Sequence, residues 1–162
     1  MLKVQIKLLR PKLYHSNGEP VIKLPGHATA MSAGVDLQAA IDAPMKLWPN
    51  EQARLIPTGI SIFIGDPGYA AFIFPRSGLG HKSGLVLGNG TGVIDADYQG
   101  ELFVSAWNRS PLSTQPIEIN PGDRIAQMVF MPVAQVEQFV IVEEFKATER
   151  GAAGFGSTGV AA

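Results

Sequence analysis

Three short segments combine glycine with charged or hydroxyl side chains in a way that plain strands do not require: AGVDLQA (33–39), PRSGLG (75–80) and GVIDADYQG (92–100). In the last of them, Asp95 lies between apolar neighbours, close after a predicted turn. A carboxylate in that place could act as a general base toward water. A solvated aspartate at the end of a strand is commoner, so this segment by itself does not establish catalysis.

The segment PRSGLG carries groups that suit an anion. Arg76, Ser77 and Gly78 follow the apolar run Tyr69–Phe74. A guanidinium, a hydroxyl and the backbone amides at a helix start form a natural cradle for phosphate. An ordinary turn from strand to helix with an exposed arginine is the competing interpretation. The residues alone also leave two interpretations of Asp36 in the first segment, a functional carboxylate or a structural one. An aspartate in a turn, where its carboxylate caps local amides, would have the same neighbours.

The segment RGAAGFGSTG (150–159) is rich in glycine, yet it holds an arginine and a phenylalanine. Residues 154–159 fit G-x-G-x-x-G, but that fingerprint needs a following helix and a carboxylate about 20 residues further on. The sequence stops at residue 162, which disfavours a dinucleotide site. A disordered terminus suits residues 160–162 but leaves Arg150 and Phe155 unexplained, because a flexible tail has nothing local to bury an aromatic ring.

Composition limits the kind of protein. A length of 162 residues with 46% hydrophobic and 17% charged residues is typical of one globular domain. The net charge of -1 offers no basic field for nucleic acid. Cysteine is absent and the three histidines lack ligand spacing, so neither disulfides nor a protein-ligated zinc ion is expected. Without an apolar run near the roughly 20 residues of a membrane span, or a signal-peptide core, the sequence predicts a cytoplasmic protein with no membrane partner.

Glycine and proline, 18 and 12 in number, interrupt the sequence too often for long helices. The short runs between them predict an all-β fold, an antiparallel sandwich or distorted barrel with one short helix around Ser77–Ser83. Asn89-Gly90 supplies the turn of a predicted hairpin over residues 85–98. The predicted strands are Val4–Leu8, Leu55–Ile56, Ile60–Ile64, Tyr69–Phe74, Gly84–Leu87, Leu102–Trp107, Ile117–Ile119, Ile125–Phe130 and Val133–Val142.

Five motifs follow one another through this all-β chain: AGVDL, PRSGLG, GNGTGVIDADYQG, GDRIAQM (122–128) and RGAAGFGSTG. Each is weak alone, but their order and spacing, from the region of Gly26 to Gly159, resemble those of the trimeric deoxyuridine triphosphatases (dUTPases). The resemblance implies a jelly-roll-like β-clip domain over residues 1–149. It also implies a flexible C-terminal lid over residues 150–162, which completes the active site of a neighbouring subunit in a homotrimer.

The resemblance implies hydrolysis of dUTP to dUMP and pyrophosphate with Mg²⁺, which keeps uracil out of DNA and supplies dUMP for dTMP synthesis. Asp95 would orient and deprotonate the water that attacks the α-phosphorus. Mg²⁺ would be held mainly by the phosphates and water, with indirect support from Asp36. The residues implied to bind phosphate are Arg76, Ser77, Gly78, Gln127, Arg150, Ser157 and Thr158, while Asp123 and Arg124 are interpreted as structural.

The same resemblance implies how base and sugar are recognised. A pocket that pairs with the uracil edge leaves buried polar groups unpaired against cytosine, which is a large penalty. Tyr98 would pack under the deoxyribose and leave no room for a 2′-hydroxyl, and Phe155 would stack over the uracil. The residues implied to form this pocket are Asn89, Gly92, Val93, Ile94, Tyr98, Phe103 and Phe155.

Two other functions remain open. A dCTP deaminase-type enzyme shares the fold, but its second motif has a doubled serine where this sequence has PRSGLG. A regulatory protein that senses dUTP without hydrolysing it would keep the pocket, although such a protein has no need of Asp95. The motifs together favour a dUTP diphosphatase.

Overall fold

Ten β-strands are present in the part of the chain that the computed structural model describes, residues 2–14, 21–110 and 115–153. They are β1 (Gln5–Leu8), β2 (Val35–Gln38), β3 (Met45–Leu47), β4 (Arg54–Phe63), β5 (Tyr69–Phe74), β6 (Leu85–Leu87), β7 (Gly92–Ile94), β8 (Glu101–Asn108), β9 (Ile117–Ile119) and β10 (Arg124–Pro132). The described residues also form a short helix, α1 (Pro11–Tyr14), and a π-helix (Leu79–Ser83).

The strands form two four-stranded sheets and one two-stranded sheet, and every strand pairing is antiparallel. The first sheet has the order β1-β4-β8-β6, the second β2-β10-β5-β7, and β3 pairs with β9. Buried and exposed residues alternate along β8, which gives the strand one face toward the core and one face outward, as a layered fold requires. Leu102, Val104 and Ala106 are buried, whereas Phe103 and Trp107, which alternate with them along the strand, face outward. The predicted all-β antiparallel fold is confirmed.

The apolar core lies between the sheets and draws on strands from each. Its largest fully buried side chains come from both four-stranded sheets and from the segment before β2. Burial of apolar area on this scale is the main term that favours folding. These side chains include Ile22, Leu37, Ile56, Ile60, Leu85, Leu102, Val104, Ile125 and Met128.

A buried polar network ties α1 to the two central strands of the first sheet. The Tyr14 hydroxyl donates to the Thr58 carbonyl oxygen at 2.7 Å, and the Thr58 hydroxyl donates to the Leu102 carbonyl oxygen at 2.7 Å. The Gly59 amide donates to the Glu101 carboxylate at 3.0 Å. Burial, and then the negative charge of Glu101, raise the pKa of Tyr14 from its ordinary 10.0 to about 12.

The predicted strand Val133–Val142 is wrong for the single chain. β10 ends at Pro132, and beyond it the Val133 amide donates to the Gly68 carbonyl oxygen at 2.9 Å. No strand forms further along the described residues, and the Phe139 and Ile141 side chains are 87% and 99% exposed. The β-branched and aromatic run is typical of a strand, but a strand needs a partner strand that supplies hydrogen bonds and a packing surface.

In the predicted hairpin over residues 85–98, the turn is confirmed but the pairing of the two flanking strands is wrong. Its turn exists, since the Gly90 amide donates to the Leu87 carbonyl oxygen at 3.1 Å and Gly90 has a φ of 74°. However, β6 pairs with β8 in the first sheet and β7 pairs with β5 in the second. We call residues 88–91 the crossing loop, because they carry the chain from one sheet to the other.

Three elements were not predicted, namely α1, β2 and β3. The predicted helix Ser77–Ser83 is present as the π-helix from Leu79, and the amide of its second residue, Gly80, donates back to the Arg76 carbonyl oxygen at 2.8 Å. No described helix is both long and apolar enough to cross a membrane.

Candidate active site

β10 is the element that assembles one end of the candidate site. It lies between β2 and β5, so that Gln127 is level with Asp36 on one side and with Phe74 on the other. Residues that are far apart in sequence therefore meet along one line across the second sheet. This register explains why the first, second and fourth sequence motifs converge, since each contributes a segment at this end of the sheet.

Asp36 holds two arginines at this end of the sheet. Its Oδ1 atom lies 2.9 Å from the Arg76 Nε atom, and its Oδ2 atom lies 3.2 Å from an Arg124 Nη1 atom. The Asp36 and Arg76 side chains are only 26% and 29% exposed. Two guanidinium groups around one carboxylate leave a net positive charge with donors to spare, which suits a polyanionic ligand. We call these three residues the arginine cluster.

Gln127 is fixed beside the arginine cluster. Its Nε2 atom donates to the Pro75 carbonyl oxygen at 3.0 Å, directly before Arg76 in the chain. A Cβ atom on Gly34 would lie 2.9 Å from the Gln127 Oε1 atom, so the glycine of the first motif leaves room for this side chain. Gln127 thus couples the backbone that carries Arg76 to β10.

Ser77 and Gly78 lie exposed directly before the π-helix, next to Arg76. Among the described residues other than its chain neighbours, none comes within 4 Å of the place where a Cβ atom of Gly78 would be, so this side of its backbone is open to a ligand. A cleft of about 700 Å³ adjoins this segment and is lined by Arg76, Leu79, Lys82, Asp123 and Arg124, among others. Arg76 of the second motif therefore lines this cleft, and Gln127 of the fourth motif is connected to the same segment through the Pro75 carbonyl oxygen.

The two residues interpreted as structural have defined partners. Arg124 pairs with Asp36 in the arginine cluster. Asp123 accepts a hydrogen bond from the Asn120 amide at 2.7 Å and so closes the turn that enters β10. The pairing of Arg124 with a charge was predicted, but its partner was not, because which carboxylate Arg124 can reach depends on the register of β2 against β10.

Asp95 lies at the other end of the second sheet. Ile94, the last residue of β7, is level with Ala71 of β5, so Asp95 follows at the level of Ala70. Arg76 comes six residues after Ala70 along the chain, a path of about 20 Å at the rise of a strand. Asp95 lines a separate cleft of about 440 Å³ with Phe63, Tyr69, Ala96, Asp97 and Gln135 among its walls. One chain therefore does not bring Asp95 to its own arginine cluster.

Asp95 and Tyr98 are the first and last residues of one turn. The Tyr98 amide donates to the Asp95 carbonyl oxygen at 3.2 Å, and the Tyr98 hydroxyl donates to the Glu101 carbonyl oxygen at 3.1 Å. The Gly65 amide donates to the Ala96 carbonyl oxygen at 2.9 Å and anchors the middle of the turn. The predicted general base and the predicted sugar-binding tyrosine thus belong to one rigid unit.

The predicted base-binding residues lie beside this turn. Gly92, Val93 and Ile94 form β7, the last strand of the second sheet, so one edge of its backbone has no strand partner among the described residues. Asn89 lies exposed in the crossing loop. Phe103 stands on β8 in the first sheet, opposite Pro57, with its side chain 42% exposed.

Only the first residues of the predicted lid are described. The Arg150 Nε atom donates to the Ala153 carbonyl oxygen at 3.1 Å, and the segment is exposed. Phe155, Ser157 and Thr158 lie outside the described residues, so their predicted contacts with the nucleotide stay predictions.

The sequence predicts a Mg²⁺ ion held mainly by substrate phosphates and water, with indirect support from Asp36. Among residues 2–14, 21–110 and 115–153, no group of three or more His, Asp or Glu side chains comes together that could hold an ion. Each oxygen of the Asp36 carboxylate already lies against an arginine. A direct bond from Asp36 to Mg²⁺ would have to break one of these pairs, whereas a metal that arrives with the phosphates of a ligand requires no such rearrangement.

Comparisons with known proteins agree with this arrangement. A family model described as dUTPase matches residues 21–159. The deoxyuridine 5′-triphosphate nucleotidohydrolase of Idiomarina loihiensis is 55% identical over 159 residues, which cover 98% of this chain and 99% of that protein. An antiparallel β-fold that carries these motifs in order defines the class, and the chain belongs to the dUTPase family.

Solved structures are similar along the whole chain. A mutant of the dUTPase of Staphylococcus bacteriophage 80alpha, solved with dUpNHpp, has a TM-score of 0.78 at 29% sequence identity and covers 98% of this chain and 99% of its own. A mutant dUTPase from phage phi11 of S. aureus, described with a structural Mg(II) ion, has a TM-score of 0.70 at 27% identity and covers 90% of this chain and 99% of its own.

Proposed function

We propose that this chain hydrolyses dUTP to dUMP and pyrophosphate, with Mg²⁺, at sites shared between the subunits of a homotrimer. The observation that carries the proposal is the convergence of Asp36, Arg76 and Gln127, from three separate motifs of the dUTPase family, at one end of one sheet. The naming of a 55%-identical relative as a dUTP nucleotidohydrolase supports the same substrate.

Asp95 supplies the base for the reaction. Its carboxylate accepts a proton from a water whose oxygen forms a bond to the α-phosphorus, while the bond from that phosphorus to the bridging oxygen breaks and pyrophosphate leaves. A positioned general base is worth roughly 10²–10⁴-fold in rate. The exposed carboxylate at the end of β7 lines a cleft wide enough for water and ligand to reach it.

The phosphate chain binds at the arginine cluster. Arg76 donates from a guanidinium that Asp36 already orients, and the exposed Ser77 hydroxyl and Gly78 amide add neutral donors. Such prearranged donors stabilise charge on the departing pyrophosphate without reorganisation. Mg²⁺, bound mainly by phosphate oxygens and water with indirect support from Asp36, would neutralise part of that charge. The lid would add Arg150, Ser157 and Thr158.

Selectivity for the base and the sugar arises at the end of the nucleotide away from the phosphates. The open backbone edge of β7, with Asn89, would pair with the uracil edge, and Phe155 of the lid would cover the base. Tyr98 would lie under the deoxyribose and reject a 2′-hydroxyl. A site whose polar groups match one base leaves them unpaired with another, which is why discrimination can be large.

The separation of Asp95 from Arg76 within one chain supports a shared site. The base and the phosphate donors must lie within a few ångströms of one nucleotide, so a second copy must bring its Asp95 to the first copy's arginine cluster. Cyclic symmetry repeats such a site in each subunit. We propose that the lid, residues 150–162, comes from the third copy. The cytoplasmic location and the absence of nucleic-acid and membrane partners stay predictions.

A substrate comparison tests the proposed function. Release of pyrophosphate is measured with dUTP, dTTP, dCTP and UTP at equal concentration, and release of ammonia is measured with dCTP. We expect rapid pyrophosphate release from dUTP alone. Comparable rates with all four nucleotides would contradict the selective pocket. Ammonia from dCTP would indicate a deaminase, and binding of dUTP without hydrolysis would indicate a sensor.

A further inference from the structure

Gly100 faces the Tyr98 ring directly. A Cβ atom at Gly100 would touch the Tyr98 hydroxyl oxygen and would lie 2.6 Å from Cζ and 3.1 Å from Cε2 of the same ring. Carbon atoms in good contact are about 3.5–4.0 Å apart. The phenol of Tyr98 therefore occupies the space that any other residue at position 100 would fill with its side chain.

The backbone at Gly100 does not itself require glycine. The glycines with positive φ among the described residues are Gly59, Gly65, Gly84, Gly90, Gly122 and Gly151, and Gly100 is not one of them. Alanine could adopt its conformation without the left-handed strain that glycine relieves elsewhere. What position 100 requires is the absence of a side chain, and among the described residues the three atoms nearest to an added Cβ all belong to the Tyr98 ring and its hydroxyl.

One hydrogen bond holds the Tyr98 ring against Gly100, since its hydroxyl donates to the Glu101 carbonyl oxygen. The Tyr98 backbone amide donates to the Asp95 carbonyl oxygen and so fixes the main chain that carries the ring. Glu101 is itself fixed, since it is level with Ser61 of β4 and its carboxylate accepts from the Gly59 amide. The backbone beside Gly100 cannot retreat, so an added methyl group must move the ring.

We propose that Gly100 is a positioning residue that sets the sugar selectivity of the site. The inference rests on the proposed function, in which Tyr98 packs under the deoxyribose. Because Gly100 has no side chain, the Tyr98 phenol lies against the backbone in one fixed position. That position leaves space on the sugar for a 2′-hydrogen but not for a 2′-hydroxyl. The ring is 43% exposed, so it can be pushed outward without breaking the core.

The test is the substitution Gly100→Ala, measured as kcat/KM for dUTP and for UTP, together with thermal unfolding. We expect the ratio of kcat/KM for dUTP to kcat/KM for UTP to fall by about 10-fold or more. The contact between the Tyr98 ring and the sugar is about one group in size, and a contact of that size is worth roughly that much in discrimination between two substrates. The unfolding temperature should change little. Gly26→Ala is the matched control, since only the Leu24 carbonyl oxygen lies near its added Cβ, at 3.9 Å.

A double substitution keeps the test independent of folding. Tyr98→Ala removes the whole ring that the added methyl group would displace, so Gly100→Ala should leave the ratio unchanged in that background. Equal effects in both backgrounds, or a ratio that Gly100→Ala alone leaves unchanged, would overturn the inference. If the unsubstituted protein hydrolysed dUTP and UTP equally well, the proposed function would fail instead.

Discussion

At the scale of single residues, Asp36 is the carboxylate on which the arginine cluster depends. It orients Arg76 and Arg124 through contacts of 2.9 and 3.2 Å. Asp36→Asn keeps one acceptor but turns an amide NH₂ group toward a guanidinium. We expect KM for dUTP to rise, kcat/KM to fall by about 10-fold or more, and the free energy of unfolding to fall by about 1–3 kcal/mol. Steady-state kinetics and urea unfolding measure these effects.

Asp42→Asn is the control for Asp36→Asn. The Asp42 side chain is 86% exposed, and its contact with Arg10 is 3.7 Å long. Such a pair contributes little, so its loss should change the free energy of unfolding by less than about 0.5 kcal/mol and leave activity unaltered. Equal losses in the two variants would show that the arginine cluster has no special role.

Asp95→Asn keeps the size of the side chain and removes its ability to take a proton. We expect turnover to fall by roughly 10²–10⁴-fold while the affinity for a non-hydrolysable dUTP analogue changes little. Asp97→Asn makes the same change of charge two residues further on and should retain turnover. If the Asp95 variant kept its turnover within a few-fold, another group would have to be the base.

Tyr14 gives a pH dependence of stability. Its pKa is about 12 in the folded chain against 10.0 for the free group, so the folded state keeps its proton longer. The stabilisation is complete below pH 10 and is lost as the pH rises toward 12, by about 2–3 kcal/mol in all. Urea unfolding at pH 9, 10 and 11 should show this decline, and Tyr14→Phe should flatten it. An identical slope in both proteins would contradict the assignment.

At the scale of elements, the sequence predicted strands best where the chain alternates between buried and exposed residues, as in β8. It failed where pairing decides the outcome. Asp36 looked like a turn residue, because one charged side chain in an apolar run does not reveal that β10 lies alongside. The crossing loop looked like a hairpin, since Asn89-Gly90 predicts a turn but cannot say to which sheet each flanking strand belongs.

The candidate site shows the same difference between what residue types predict and what strand pairing decides. The motifs, through the resemblance, predict which residues bind the nucleotide, and the structure places two of them, Arg76 and Gln127, beside each other. Their binding of the nucleotide stays a prediction. They did not predict the contact of Arg124 with Asp36, which depends on register, or the need for a bare backbone at Gly100, which depends on where a neighbouring ring lies. Distances between strands are properties of packing, and a pattern in one chain does not contain them.

The segment after β10 carries an element-scale prediction. Phe139 and Ile141 are almost fully exposed in the single chain, and apolar runs of this kind mark interfaces. If the proposed trimer uses this segment, Phe139→Asp with Ile141→Asp should weaken the assembly, and analytical ultracentrifugation would show lighter species. Met31, 96% exposed in a loop, provides the control substitution Met31→Asp. An unchanged sedimentation coefficient for the double variant would place the interface elsewhere.

At the scale of the whole molecule, mixing two inactive variants tests the shared site. Chains with Asp95→Asn and chains ending at Glu149 are each expected to be nearly inactive. When equal amounts reassemble at random, a working site needs its Asp95 from a truncated chain and its lid from a full-length one. About one half times one half, or about a quarter, of the sites should recover. Activity no greater than the sum of the parents, after confirmed subunit exchange, would refute sharing.

The crossing loop has a consequence for the order of events in refolding. The turn that carries Asn89 is anchored in one sheet through β6 and in the other through β7. The geometry of the proposed base pocket therefore does not exist until both sheets have formed and met. Pairings between distant segments are slow to form. After dilution from denaturant, β-sheet circular dichroism should thus return before catalysis does, and regained turnover would be a late marker of the native state.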